Sequence, residues 1–192
     1  MPELRSVAVF CASSSGTNPH IEAATTALGH ELAARGIRLV YGGGNSGLMG
    51  RIATTVMADG GEVLGIIPEH ISTEVAHAEI TELRVVGSMH ERKAAMYAAA
   101  DAVVALPGGF GTLEELAEAL TWTQLGLHSM PVGLLDVDGY WSPLVAWMER
   151  AVGDGLLKEK NRVACLDDPD PAVLLDRLAA TELRYEPKWD DR

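Results

Sequence analysis

The segment VAVFCASSSGTNPHIEAATTALGHELAARGIRLVY, residues 7–41, decides the fold class. Its two ends, VAVF at 7–10 and IRLVY at 37–41, are short apolar runs rich in β-branched residues, the composition of buried strands. Between them Ile21, Ala24, Leu28 and Leu32 recur at three- and four-residue steps, which predicts a helix over 20–35 with one apolar face. Gly36 stands where a helix stop belongs. Strand, helix, strand is one β-α-β unit, whose strands run parallel because the helix carries the chain back to its starting edge.

The same alternation continues in both composition and spacing. A helix is predicted over 47–58, with Leu48, Ile52 and Val56 in register, and then a strand over 63–67 closed by Pro68. After a stretch read as irregular come a strand at 83–86, a helix at 88–100, a buried strand at 102–106 and a helix at 112–125. A strand at 132–137 and helices at 140–152 and 171–180 complete the pattern. Strands that are apolar throughout must be covered on both faces. The expected fold is therefore α/β and Rossmann-like, a doubly wound parallel sheet with helices on both faces and ligands at the carboxyl ends of its strands.

The 192 residues fit a single domain over 1–181 with a polar tail at 182–192. Fifteen Lys and Arg against 27 Asp and Glu leave a net charge of −12, which argues against a nucleic-acid partner, because such binding needs clustered positive charge. The longest apolar run, 94–100, is far shorter than the ~18 residues of a membrane span, and no signal-peptide pattern is visible near the N-terminus. Neither membrane nor export is expected, and the chain reads as cytoplasmic. Cys11 and Cys165 lack the spacing of a metal site or a disulfide framework, so two reduced thiols and no metal are expected.

Two glycine turns fall where this fold binds ligands. The first, at 41–50 (YGGGNSGLMG), fits GxGxxG through Gly42, Gly44 and Gly47. A dinucleotide site also needs an acidic residue ending the next strand, yet Glu62 precedes that strand and Glu69 follows Pro68. The other reading is that these glycines permit tight packing of helix on sheet. The second turn, at 106–115 (LPGGFGTLEE), joins a buried strand to a helix, and its free amides with the Thr112 hydroxyl would cradle a phosphate. Thr112 and Glu115 equally fit a capping box. A third segment, 88–96 (SMHERKAAM), puts Met89, Arg92 and Met96 on one helical face. There Arg92 either clamps an anion bidentately or sits solvated beside a neighbouring Glu, and His90 reads as a surface or packing residue.

Taken together these segments resemble the Lonely Guy family, the cytokinin riboside 5′-monophosphate phosphoribohydrolases, often labelled lysine decarboxylases. The resemblance extends from residues 10–16 (FCASSSG) to 131–135 (PVGLL), and its diagnostic parts are MHERK at 89–93 and PGGFGTLEE at 107–115. It implies hydrolysis of the N-glycosidic bond of a nucleoside 5′-monophosphate, releasing free base and ribose 5-phosphate. It also implies a homodimer. By the same resemblance Arg92 and Glu115 are catalytic, and the substrate is bound by Glu74, Arg92, Lys93, Gly108, Gly109, Phe110, Gly111, Thr112, Leu113, Glu114 and Thr121. Ala12 departs from a frequent glycine, Ser88 from an acidic residue and His20 from a tyrosine.

The chemistry suits these residue types. Breaking a glycosidic bond builds oxocarbenium character on the sugar, which a carboxylate such as Glu115 stabilises. That carboxylate could instead hold the ribose hydroxyls or activate water, and Arg92 could neutralise phosphate or assist the departing base. The scheme requires no metal and no cofactor. Decarboxylation through pyridoxal phosphate would need a Schiff-base lysine in its own motif, whereas Lys93 lies in a phosphoribohydrolase-like one. Two other function classes share the fold: a non-catalytic nucleotide carrier or sensor, and a nicotinamide-dependent oxidoreductase using the Gly42 turn.

Overall fold

Successive residues of β1 (Ser6–Phe10) face opposite sides of the sheet, and each side has its own helices. Val7 and Val9 pack with Leu28 and Leu32 of α1 (Pro19–Ala34), Ile52 and Val56 of α2 (Gly47–Ala58), and Leu174 and Leu178 of α8 (Pro171–Ala180). Ala8 and Phe10 pack with Met96 of α4 (Met89–Ala98), Leu116 of α5 (Phe110–Leu125) and Met148 of α6 (Ser142–Gly153). The computed structural model describes residues 4–77 and 79–183. The expected 182–192 tail lies outside the described residues from position 184.

The other strands are β2 (Arg38–Tyr41), β3 (Val63–Pro68), β4 (Glu82–Val86), β5 (Ala102–Ala105), β6 (Val132–Leu135) and β7 (Cys165–Asp168). They lie in the order β4-β3-β2-β1-β5-β6-β7, and each neighbouring pair is parallel. The chain winds outward from β1 to β4, returns to β5 beside β1, and winds outward again. The reversal between β1 and β5 opens a crevice at their carboxyl ends. The α/β doubly wound reading holds, with helices on both faces.

α1 ends as its sequence predicts. Gly36 takes φ +66°, its amide bonds Ala33 O at 3.0 Å, and Ile37 N bonds Leu32 O at 2.9 Å, the reciprocal pair that closes a Schellman stop. Four elements here depart from the sequence reading. The stretch read as irregular contains α3 (Glu69–Val75), a short helix entered directly from Pro68. A short helix α7 (Glu159–Arg162) and the edge strand β7 were not expected, since the strand ends in Asp167 and Asp168 and has only one paired side to bury. The last predicted strand stops at Leu135, and a 3-10 turn at Val137–Gly139 carries Asp138 at φ +52°.

Candidate active site

α4 enters the site under a reciprocal cap: Glu91 N donates to Ser88 Oγ (3.1 Å) and Gly87 N donates to Glu91 Oε2 (2.8 Å). The cap explains why a serine serves at position 88. It turns Arg92 and Lys93 inward, 9% and 5% exposed, so the solvated reading of Arg92 does not hold. Arg92 Nε donates to Ile66 O of β3 (3.2 Å), and Nη1 donates to Glu115 Oε1 (3.2 Å).

α5 begins two residues earlier than its periodicity predicts. Gly109 is the N-cap and has no side-chain bond, and the first helical bond is Leu113 N to Gly109 O at 3.0 Å. Thr112 thus lies inside the first turn rather than at the cap, which removes the capping-box reading of Thr112 and Glu115. The amides of Phe110, Gly111 and Thr112 point out of the helix start, at its positive end. Thr112 packs so closely on Gly108 that a Cβ at 108 would lie 2.1 Å from its Oγ1.

Glu115 is 8% exposed, and burial pushes its carboxyl up to about 7 against the opposing pull of the Arg92 guanidinium. Glu114 adds to the rise and Lys93 counters it. Burial also raises the nearby Cys11 thiol, with the Glu115 charge adding to the effect, so Cys11 is a neutral wall rather than a nucleophile.

Arg92 and Glu115 open onto a cavity of about 430 Å³ at the β1–β5 reversal. Its walls are Cys11, Ser13 and Ser14 after β1, Gly42 after β2, Met49 of α2, Met89 of α4, and Gly109, Phe110, Gly111 and Thr112 at the start of α5. A larger cavity of about 550 Å³ lies at the opposite ends of the strands, around Asp101 and Pro131, away from this pair. The charged pair lies in the smaller one.

The first glycine turn is filled from within the protein. A Cβ at Gly42 would lie 1.7 Å from Arg92 Nη2, one at Gly47 2.3 Å from the Ser13 carbonyl carbon, and one at Gly50 2.1 Å from Asn45 O. These glycines admit a guanidinium, a neighbouring loop and a tight turn. The space that a pyrophosphate would need at Gly42 holds Arg92, so the nicotinamide reading fails here.

The family described as "Possible lysine decarboxylase" matches residues 49–178. A probable cytokinin riboside 5′-monophosphate phosphoribohydrolase of Oryza sativa subsp. japonica is 50% identical over 175 residues, 91% of this chain and 77% of that protein. This chain belongs to that phosphoribohydrolase family. A cytokinin riboside 5′-monophosphate phosphoribohydrolase of Arabidopsis thaliana is 45% identical over 186 residues, 96% of this chain and 84% of that protein. The molybdenum cofactor carrier protein of Chlamydomonas reinhardtii superposes with a TM-score of 0.70 at 22% identity, covering 93% of this chain and 100% of that chain, which shows a shared fold. Pyridoxal phosphate, which a decarboxylase description implies, does not fit: among the described residues no lysine lines the cavity.

In this phosphoribohydrolase family member the cavity gathers Arg92, Gly109, Phe110, Gly111, Thr112 and Glu115 from the sequence-predicted set. Gly108 lies behind it, its carbonyl accepting from Tyr140 Oη at 2.5 Å. Lys93 and Glu114 are paired with each other at 2.5 Å. Leu113 and Thr121 line a separate apolar groove of about 190 Å³ with Leu120 and Trp147. Glu74 lies on α3, which the bridge between Gly44 and Ala76 sets against the first glycine turn; its side chain lies outside the described residues.

Ala12 avoids the left-handed region, so its turn needs no glycine. His20 and Asn18 both bond Asp138 Oδ2 at 2.8 Å, tying the loop after β1 to the turn after β6. Sequence reasoning missed Ser13, Ser14, Met49 and Cys11 as site residues, and read Gly42 only as part of a dinucleotide or packing turn. The loop after the first strand of a doubly wound sheet was the available signal for the serines.

Proposed function

We infer that this protein hydrolyses the N-glycosidic bond of nucleoside 5′-monophosphates of the cytokinin riboside type, giving free base and ribose 5-phosphate. The buried Arg92–Glu115 pair, opening onto a cavity that ends at the α5 helix start, carries this reading. The 5′-phosphate is held by the amides of Gly109 to Thr112, where the helix dipole favours an anion. One turn further on, Glu115 faces the sugar. As the C1′–N bond breaks, its electron pair leaves with the base, and the Glu115 carboxylate offsets the charge growing on the sugar. Water adds its hydroxide to C1′ and its proton goes to the base. Arg92 keeps Glu115 in place and holds part of its charge at neutral pH. Met49 and Met89 give the base a deformable apolar wall.

The protein acts as a cytoplasmic homodimer in this reading. Phe110, Leu113, Leu125 and Trp147 leave 93%, 40%, 47% and 63% of their surface exposed along α5 and α6, an apolar face suited to a second copy. That contact would take in Leu113 and Thr121. Light scattering of the parent protein and of Trp147→Glu tests it: a dimer reduced to monomer is expected, and a monomeric parent overturns it.

The activity is tested by chromatography of base released, without added metal, from AMP, from its N6-prenylated form and from the two matching nucleosides. Losing even two charge-assisted hydrogen bonds of about 1.5–3 kcal/mol each should slow the nucleosides by about two to four orders of magnitude. Equal rates would refute the phosphate cradle. Nucleotide binding without base release from any substrate would make the protein a carrier.

A further inference from the structure

Two parallel rungs join α4 to α5. The first is Arg92 to Glu115. One residue along each helix lies the second, where Lys93 Nζ is 2.5 Å from Glu114 Oε1 and 3.0 Å from Glu118 Oε2. Tyr97, a turn beyond Lys93, donates its hydroxyl to the Glu115 carbonyl oxygen at 3.0 Å and lies 3.3 Å from Glu118 Oε2. The Lys93 side chain is 6% exposed and does not line the Arg92–Glu115 cavity. Drawing its ammonium toward a substrate there would strand Glu118, itself only 22% exposed, without its cation.

We propose that Lys93 is a positioning residue: with Glu114, Glu118 and Tyr97 it clamps α4 to α5 and sets the separation of Arg92 from Glu115, without touching substrate. The proposal rests on the reading of that pair as the reacting pair. Placement at this spacing is decisive, because a misplacement of about 1 Å at a reacting centre costs about 100-fold in rate. The clamp also acts through charge. The ionisable groups around Glu115 are Arg92, Lys93 and Tyr97 from α4, Cys11 from the end of β1, and Glu114 and Glu118 from its own helix. Lys93 favours the ionised carboxylate and Glu114 opposes it, so losing the ammonium raises the Glu115 midpoint further.

The test uses Lys93→Met, Lys93→Arg and Glu118→Gln in the full chain. Lys93→Met is expected to lower kcat by about 10- to 100-fold. KM and the calorimetric affinity for ribose 5-phosphate should stay within about threefold, less than the loss of one charge-assisted bond to phosphate would cause. The acid limb of the rate profile should move to higher pH, and Lys93→Arg should restore part of kcat. If Lys93→Met does not fold, Glu118→Gln carries the test through a fall in kcat at unchanged KM.

A weakening of ribose 5-phosphate affinity by tenfold or more with kcat intact would make Lys93 a phosphate ligand and overturn the proposal. So would an unchanged kcat in both Lys93→Met and Glu118→Gln. The Glu115 carboxyl titration, followed by NMR, reads the clamp even in a protein that releases no base. An inactive parent would count against the proposed function, and an unmoved Glu115 midpoint in Lys93→Met against the clamp.

Discussion

Substituting alanine at Gly42 should disable this enzyme without unfolding it. The new Cβ would lie 1.7 Å from Arg92 Nη2 and 2.9 Å from Cζ, so the guanidinium must retreat by about 1.7 Å to reach ordinary contact at 3.4 Å. The backbone does not resist, since Gly42 lies outside the left-handed region and the obstacle is the end of a flexible side chain. Retreat takes the guanidinium out of the position from which it bonds Ile66 O and Glu115 Oε1, both at 3.2 Å. Glu115 then stays buried without its cation, and its midpoint climbs from about 7, leaving less carboxylate at neutral pH. Misplacement on this scale costs at least about 100-fold in kcat/KM, or about 2.7 kcal/mol of transition-state stabilisation. Base release from AMP measures the loss, and calorimetry checks that the fold persists. A kcat/KM within about threefold of the parent would show that Arg92 works from another position and refute the reasoning.

Glu115→Gln should remove most turnover while the protein still unfolds cooperatively, because the amide keeps the size and loses the charge; near-normal turnover would end the catalytic assignment. The same variant has a signature in stability. The folded-state midpoint of Glu115, about 7, lies above its ordinary 4.5, so the parent binds a proton on folding and loses stability as pH rises between those values. The melting temperature of Glu115→Gln relative to the parent should therefore be higher at pH 8 than at pH 5, and a pH-independent difference would contradict the raised midpoint. Activity of the parent should fall below about pH 7 as Glu115 protonates; a flat profile down to pH 5 would remove the carboxylate from the mechanism. Arg92→Lys should lose about tenfold or more in kcat/KM, since one ammonium cannot serve both Ile66 O and Glu115 in the guanidinium's planar geometry, and kinetics matching the parent would make Arg92 a mere counter-charge.

The parallel sheet was legible because strands such as 7–10 and 102–105 are covered on both faces and must be apolar throughout. β7 escaped for the opposite reason: an edge position tolerates Asp167 and Asp168. At the site, the residue types of Arg92 and Glu115 were legible, but their burial was not, because the charges flanking them in MHERK and TLEE read equally well as a solvated face. What buries them is packing of α4 against β3 and α5, a tertiary fact without a local pattern. The Thr112–Glu115 ambiguity came from a displaced helix start. Gly109 and Gly111 have poor helix propensity, so the periodic signal begins only after them although the helix does not. Gly42 was noticed for the wrong partner, since a glycine pattern signals close approach but not what approaches.

The proposed reacting pair and the proposed clamp behind it come from one contiguous stretch, the two helices α4 and α5 and the strand between them. Met89 of α4 apart, the wall facing them is supplied from elsewhere, by the loop after β1 and by Met49 of α2. On the proposed reading, bond breaking and most of the base wall thus belong to separate parts of the chain. On that reading, substitutions at Ala12, Ser13 or Met49 would retune which base is accepted while the bond-breaking apparatus passes unchanged from ancestor to descendant, and a lineage would change substrates without rebuilding its catalyst.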